Sequence, residues 1–235
     1  MKIGIILCGD VPTNLLEEFG SYSDCLQKAL ALNLHERPLE WNMYQNHQLP
    51  DTVDRCDVYI IGGSPFGVND GLEWIDELAW FVRDAFHARK RLIGICFGHQ
   101  LINHALGGKV EKSARGWGLG TYDVFFKQDL GEMKVGQTMA LLAIHQDQVI
   151  KPAKNFDIVA GSDFCPHYIT KYQNQVLTVQ GHPEFNYSFF EALLNQRKDS
   201  LSEDEIKQAL IDNNSQEHRS ICNKFLNKFI FSPNT

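Results

Sequence analysis

Apolar residues along this chain fall into two alternating kinds of run. Short ones within residues 1–10, at 56–61, where only Asp57 interrupts, and at 92–95 have the length of strands buried on both faces. Between them, apolar residues recur every three or four positions. Leu26, Ala29, Leu30 and Leu34 do so within residues 22–34, and Leu72, Ile75, Leu78, Ala79, Val82 and Phe86 within residues 71–87. That spacing places them on one face of a helix. Residues 39–44 read as a further strand. After the 92–95 run, Leu101-Ile102-Asn103-His104-Ala105-Leu106 has helical spacing and stops at Gly107-Gly108, a natural helix end. Such alternation predicts βαβ units, hence a mostly parallel sheet with helices on both faces.

The second half changes character. Residues 121–126, 139–144, 158–160, 168–172 and 176–180 read as short strands separated by turns, some of them antiparallel additions to the sheet. The tail is helical: Ser202-Glu203-Asp204-Glu205 fits a capping box, and Ile221, Phe225, Leu226, Phe229 and Ile230 form a stripe. The partition expected is one α/β domain over residues 1–198, with residues 199–235 as its helical C-terminal extension.

Charge narrows the partners. With 22 basic against 29 acidic residues the net charge is −7, which argues against nucleic acid or an anionic membrane. The one basic cluster, Arg89-Lys90-Arg91, reads as cations at a helix C-terminus. No stretch approaches the roughly 20 apolar residues that span a bilayer, and the N-terminal run lacks a small-residue cleavage site. Six scattered cysteines, none at metal-binding spacing, make a disulfide framework unlikely and a reducing, cytoplasmic compartment the expectation. Neither a metal nor a cofactor is expected.

Each thiol is then judged by its setting. Cys96 stands where the 92–95 strand hands over to a helix, at the carboxyl end of a strand, where open parallel sheets bind ligands. Unpaired N–H groups at a helix start favour a thiolate. Gly94 and Gly98 complete a G-x-nucleophile-x-G pattern, which suits a sharp strand-to-helix turn. A buried structural cysteine is the competing reading. A cysteine nucleophile wants a histidine base and a group to orient it. In "VLTVQGHPEF", His182 again falls just past a strand, and in an extended stretch Glu184 would share its side. The turn Gly62-Gly63-Ser64-Pro65 is either a plain turn or a source of amides for an oxyanion hole.

Four pieces, "IIGGSP", "GICFGHQ", "AIHQDQV" and "QGHPEF", lie in this order within residues 58–185. In them the chain resembles the class I (triad-type) glutamine amidotransferases. The resemblance implies a flavodoxin-like, doubly wound core. It implies Cys96 as the nucleophile on the γ-amide of glutamine, His182 as base and acid, and Glu184 as its orienting group, with a γ-glutamyl thioester as intermediate. It also implies the amides of Ser64 and Phe97 as the oxyanion hole, and Gln100 with the loop His145, Gln146 and Asp147 as the substrate site. Two positions depart from the family pattern: Ser64 stands where glycine is usual, and Gln146 where glycine is common.

The reading that follows is hydrolysis of glutamine, or another γ-glutamyl amide, with ammonia passed to a separate acceptor such as a synthetase subunit. No GxxxxGKS loop is present, so an ATP-dependent half is not expected within the chain. The alternative is a stand-alone γ-glutamyl hydrolase or peptidase acting on conjugates. A redox-sensing protein on the same fold is a third reading, against which His182 and Glu184 count.

Overall fold

A computed structural model describes residues 1–32, 37–211 and 215–232. Its elements in chain order are β1 (Ile3–Leu7), α1 (Leu16–Phe19), α2 (Tyr22–Ala29), β2 (Leu39–Asn42), α3 (Met43–Asn46), β3 (Val58–Ile61), α4 (Glu73–His87), β4 (Arg91–Ile95) and α5 (Phe97–Ala105). There follow β5 (Lys109–Lys112), β6 (Gly118–Gly120), β7 (Val124–Phe126), β8 (Thr138–Met139), β9 (Ala143–His145), β10 (Asp147–Lys151), β11 (Asp157–Gly161), β12 (Ile169–Tyr172) and β13 (Val176–Val179). Three helices close the chain: α6 (Tyr187–Asn195), α7 (Glu203–Ala209) and α8 (Ser215–Phe231).

Nine strands form one sheet in the order β2-β1-β3-β4-β13-β12-β11-β7-β8. The first five are parallel and the rest antiparallel. This is the flavodoxin-like doubly wound α/β arrangement with antiparallel additions. Both sheet faces are covered, as the short apolar runs require. Ile5, Ile60, Ile93 and Val179 face the α2 and α8 side, with Leu26, Leu30, Phe225, Leu226 and Ile230. Ile6, Tyr59, Ile61 and Leu92 face α4 and α5, meeting Trp74, Leu78, Val82, Leu101 and Ile102.

Several boundaries move. The strand expected to end at Tyr44 stops at Asn42, whose side chain accepts from the Gln45 amide at 2.8 Å and caps α3. Leu34 of the first helical stripe lies outside the described residues. The single strand expected over 139–144 is two: β8 pairs with β7 in the main sheet, and β9 pairs with β6 outside it. An unbroken apolar run carries no mark of where its partner changes. The ribbon β5–β10 went unseen because only Val110, Val149 and Gln148 are buried in it. Arg91 is no helix-end cation: it opens β4, buried, and donates to the Ile230 carbonyl at 2.6 Å, tying α8 to the sheet.

Candidate active site

β4 and β13 lie side by side in parallel, and their carboxyl ends deliver Cys96 and the 180–185 segment to one place. The Cys96 amide donates to the Val179 carbonyl at 2.9 Å, and the Gly98 amide to Gly62 at 3.1 Å. Between these anchors the chain turns so sharply that Cys96 has φ 52° and ψ −102°, a costly conformation for a side chain with a Cβ. The glycines make it possible. A Cβ on Gly94 would sit 2.5 Å from the Gly98 carbonyl oxygen, and one on Gly98 2.1 Å from that of Ile61.

His182 Nδ1 lies 2.7 Å from Glu184 Oε1, both side chains being buried. The expected extended stretch is instead a turn, closed by the Phe185 amide on the His182 carbonyl at 3.3 Å. Proline at its second position suits such a turn. The ring lies flat on Phe185, centroids 4.0 Å apart and planes 2° apart, which fixes its orientation. Burial opposes the imidazolium, but the Cys96 sulfur and the Glu184 carboxylate outweigh it and push His182 up to about 10. A raised histidine contributes stability that is complete below its ordinary 6.5 and is lost as pH rises through about 10. Glu184→Gln should therefore flatten the fall in urea midpoint between pH 6.5 and pH 10; parallel slopes for variant and wild type would contradict the coupling.

The remaining expected residues gather round the thiol. Ser64, Phe97, Gln100, His145, Gln146 and Asp147 line one cavity of about 200 Å³ together with Cys96. Ser64 is not among the residues with positive φ, so the serine in place of glycine leaves its amide free to point as the turn requires. Among the described residues, neither the Ser64 nor the Phe97 amide is used in a turn or cap bond. Gln100 spends its amide nitrogen on the Asp147 carbonyl at 2.8 Å and on Gln180 at 3.2 Å. The His145 ring donates from Nδ1 to the same carbonyl at 3.0 Å and accepts from the Tyr122 hydroxyl at 2.7 Å. Burial pushes it down to about 4, so it is neutral and braces the loop.

Sequence reasoning missed four residues here. Gln180 points its amide at the Cys96 sulfur, 3.7 Å away. Asp70 and Lys112 join Asp147 in the cavity: burial pushes the Asp147 carboxyl up, Lys112 pulls it back, and Asp70 adds to the rise. Arg197 lines this cavity and also the narrow cleft beside it, which holds His182 and Glu184. Only Gln180 carried a visible signal, as the first residue of "QGHPEF". The others arrive from separate segments: Asp70 from the turn before α4, Lys112 from the end of β5 and Arg197 from the turn after α6.

The other described thiols are less suited to react. Burial pushes Cys25 and Cys56 up to about 11 and Cys165 up to about 12, and raises Cys8 and Cys222 further. Limiting iodoacetamide at neutral pH should label Cys96 first. Mass spectrometry finding Cys25 or Cys222 labelled ahead of it would remove its special status.

A family model described as "Glutamine amidotransferase class-I" matches residues 18–197. Gamma-glutamyl peptidase 3 of Arabidopsis thaliana is 28% identical over 158 residues, 63% of this chain and 64% of that protein, so the match spans just under two thirds of that relative. Gamma-glutamyl peptidase 2 of the same plant is 25% identical over 227 residues, 89% of each chain. A glutamine-hydrolyzing GMP synthase subunit of Saccharolobus solfataricus is 23% identical over 190 residues, 80% of this chain and 92% of that one.

Proposed function

Since the chain belongs to the class-I glutamine amidotransferase family, we propose that it is a stand-alone γ-glutamyl hydrolase in which Cys96, His182 and Glu184 form the catalytic triad. The observation that carries this reading is the meeting of thiol, imidazole and carboxylate at the ends of two adjacent parallel strands, over a cavity with both charge signs.

In the first step the Cys96 thiolate attacks the γ-carbonyl carbon, and the amides of Ser64 and Phe97 receive the oxyanion. The carbon–nitrogen bond breaks as the departing amine takes the proton from His182, leaving a γ-glutamyl thioester. Water, giving a proton to His182, then attacks the thioester; the carbon–sulfur bond breaks and glutamate leaves. Glu184 holds the imidazole in the tautomer and orientation this exchange needs. Gln100 and the loop His145, Gln146 and Asp147 form the floor for the glutamyl head group. Asp70 and Asp147 suit its amino group, and Lys112 its carboxylate.

The likeness to the gamma-glutamyl peptidases, which for one of them runs along nearly the whole chain, favours conjugates as substrates. The likeness to the glutamine-hydrolyzing GMP synthase supports the rival reading, ammonia donation to a partner. Release of amine from a panel of γ-glutamyl amides by the purified chain separates them. Hydrolysis of γ-glutamyl peptides without any partner is expected. Glutamine as the one substrate, and only with a synthetase added, would give the rival reading; cleavage of α-peptide bonds alone would end both.

A further inference from the structure

A leaving group departs on the side of the imidazole that protonates it. Next to the thiol cavity, sharing Ser64, Pro65, Ile144 and Arg197 with it, is a cleft that also holds Tyr22, His182, Glu184 and Leu193. Its walls mix apolar Pro65, Ile144, Phe185 and Leu193 with polar residues, and its one carboxylate, Glu184, is taken by His182. The cleft holds about 30 Å³, room for little beyond the substituents next to the scissile nitrogen. Anything larger must run outward past the rim.

Arg197 stands at that rim, lining both the cleft and the thiol cavity. Its backbone is pinned: its amide donates to Leu194, and its carbonyl accepts from Ser200 and Leu201, each at 2.9 Å. The preceding helix α6 is anchored by buried Phe189, Phe190, Leu193 and Leu194. The guanidinium charge reaches inward far enough to act on the Tyr22 phenol. Among the described residues, no carboxylate lies within ion-pair distance of Arg197. A half-buried arginine without an anionic partner beside the thiol cavity is available to an anion that a ligand brings. The glutamyl head group is already provided for by Lys112, Asp70 and Asp147 on the Gln100 side of the cavity. Ammonia as the leaving group would need no cation at all.

We infer that Arg197 is a specificity residue that receives a carboxylate on the leaving group, so that preferred substrates are γ-glutamyl amino acids and peptides carrying a free carboxylate. This rests on the γ-glutamyl hydrolase reading. The guanidinium fork pairs with a carboxylate through two parallel N–H donors, which sets the leaving amine over His182.

The test compares a γ-glutamyl amino acid with its carboxamide counterpart, in wild type, Arg197→Gln and Arg197→Lys. The expected kcat/KM ratio of acid to carboxamide is roughly tenfold or more in wild type, from the usual strength of a charged hydrogen bond. It should fall toward unity in Arg197→Gln and be intermediate in Arg197→Lys, with the change lying mainly in KM. Calorimetric binding of the same pair to Cys96→Ala, with and without Arg197→Gln, gives the ratio independently of turnover. Failure of hydrolysis with the binding ratio intact would end the hydrolase reading and leave the subsite standing. An equal loss on acid and carboxamide would place Arg197 on the head group instead. That result, or a wild-type ratio near unity, overturns the inference.

Discussion

Cys96→Ala and His182→Ala should each lower kcat/KM for γ-glutamyl amides by on the order of 10⁴-fold or more, and the double variant should be no worse than the poorer single one. Nucleophile and base act as one unit: without the imidazole no proton reaches the leaving nitrogen, and without the thiol there is no acyl group to transfer. Glu184→Gln should lose roughly a hundredfold less, because it orients and charges the ring and transfers nothing itself. Its 2.7 Å contact with Nδ1 is the bond at stake. Urea midpoints of the variants separate lost chemistry from lost folding. A His182→Ala protein that hydrolyses at near the wild-type rate, or singles whose losses multiply in the double, would dismantle the proposed triad.

The second large effect falls on folding. Gly98→Val should destabilise the chain by more than about 3 kcal/mol, beyond the usual cost of overpacking, because the clash is with backbone and no rotamer relieves it. The added Cβ would lie 2.1 Å from the Ile61 carbonyl oxygen, where β3 and the start of α5 are held together by the Gly98–Gly62 hydrogen bond. That is a large part of the roughly 5–15 kcal/mol that holds a domain together. Gly62→Ala in the neighbouring turn is the contrast. Its Cβ would meet only Leu26 at 3.7 Å and the Ile6 carbonyl at 4.0 Å, ordinary contacts. Denaturant midpoints should drop sharply for the first and little for the second. Equal midpoints would mean that the close approach of β3 to α5 is not what the glycine protects.

How much of this was legible beforehand follows from what each signal depends on. Short apolar runs and three-to-four spacing report burial on two faces or one, so β1, β3, β4, α4 and α5 could be placed from local sequence. The candidacy of Cys96, His182 and Glu184 was legible for a related reason: two strand ends and one tight turn carry them, and each is marked by glycine or proline, while their meeting rests on the pairing of β4 with β13. Pairing is different, because it is a property of two segments. The continuous run 139–144 could not reveal that Met139 serves the main sheet while Ala143 serves a separate ribbon. The polar ribbon β5–β10 had no apolar face to announce it, yet it carries Lys112 and Asp147 to the cavity.

Charge placement was also beyond local reading. Arg91 and Arg197 look alike as surface cations in the sequence. One is buried as a tie between β4 and α8, and the other stands over the reactive cleft. Local sequence determined the elements and marked the residues of the proposed triad, because backbone preference and burial act over a few residues. Tertiary structure alone decided the other charged surroundings of the thiol, because Asp70, Lys112 and Arg197 come from segments far apart in the chain and meet Asp147 only when the sheet and its helices are packed.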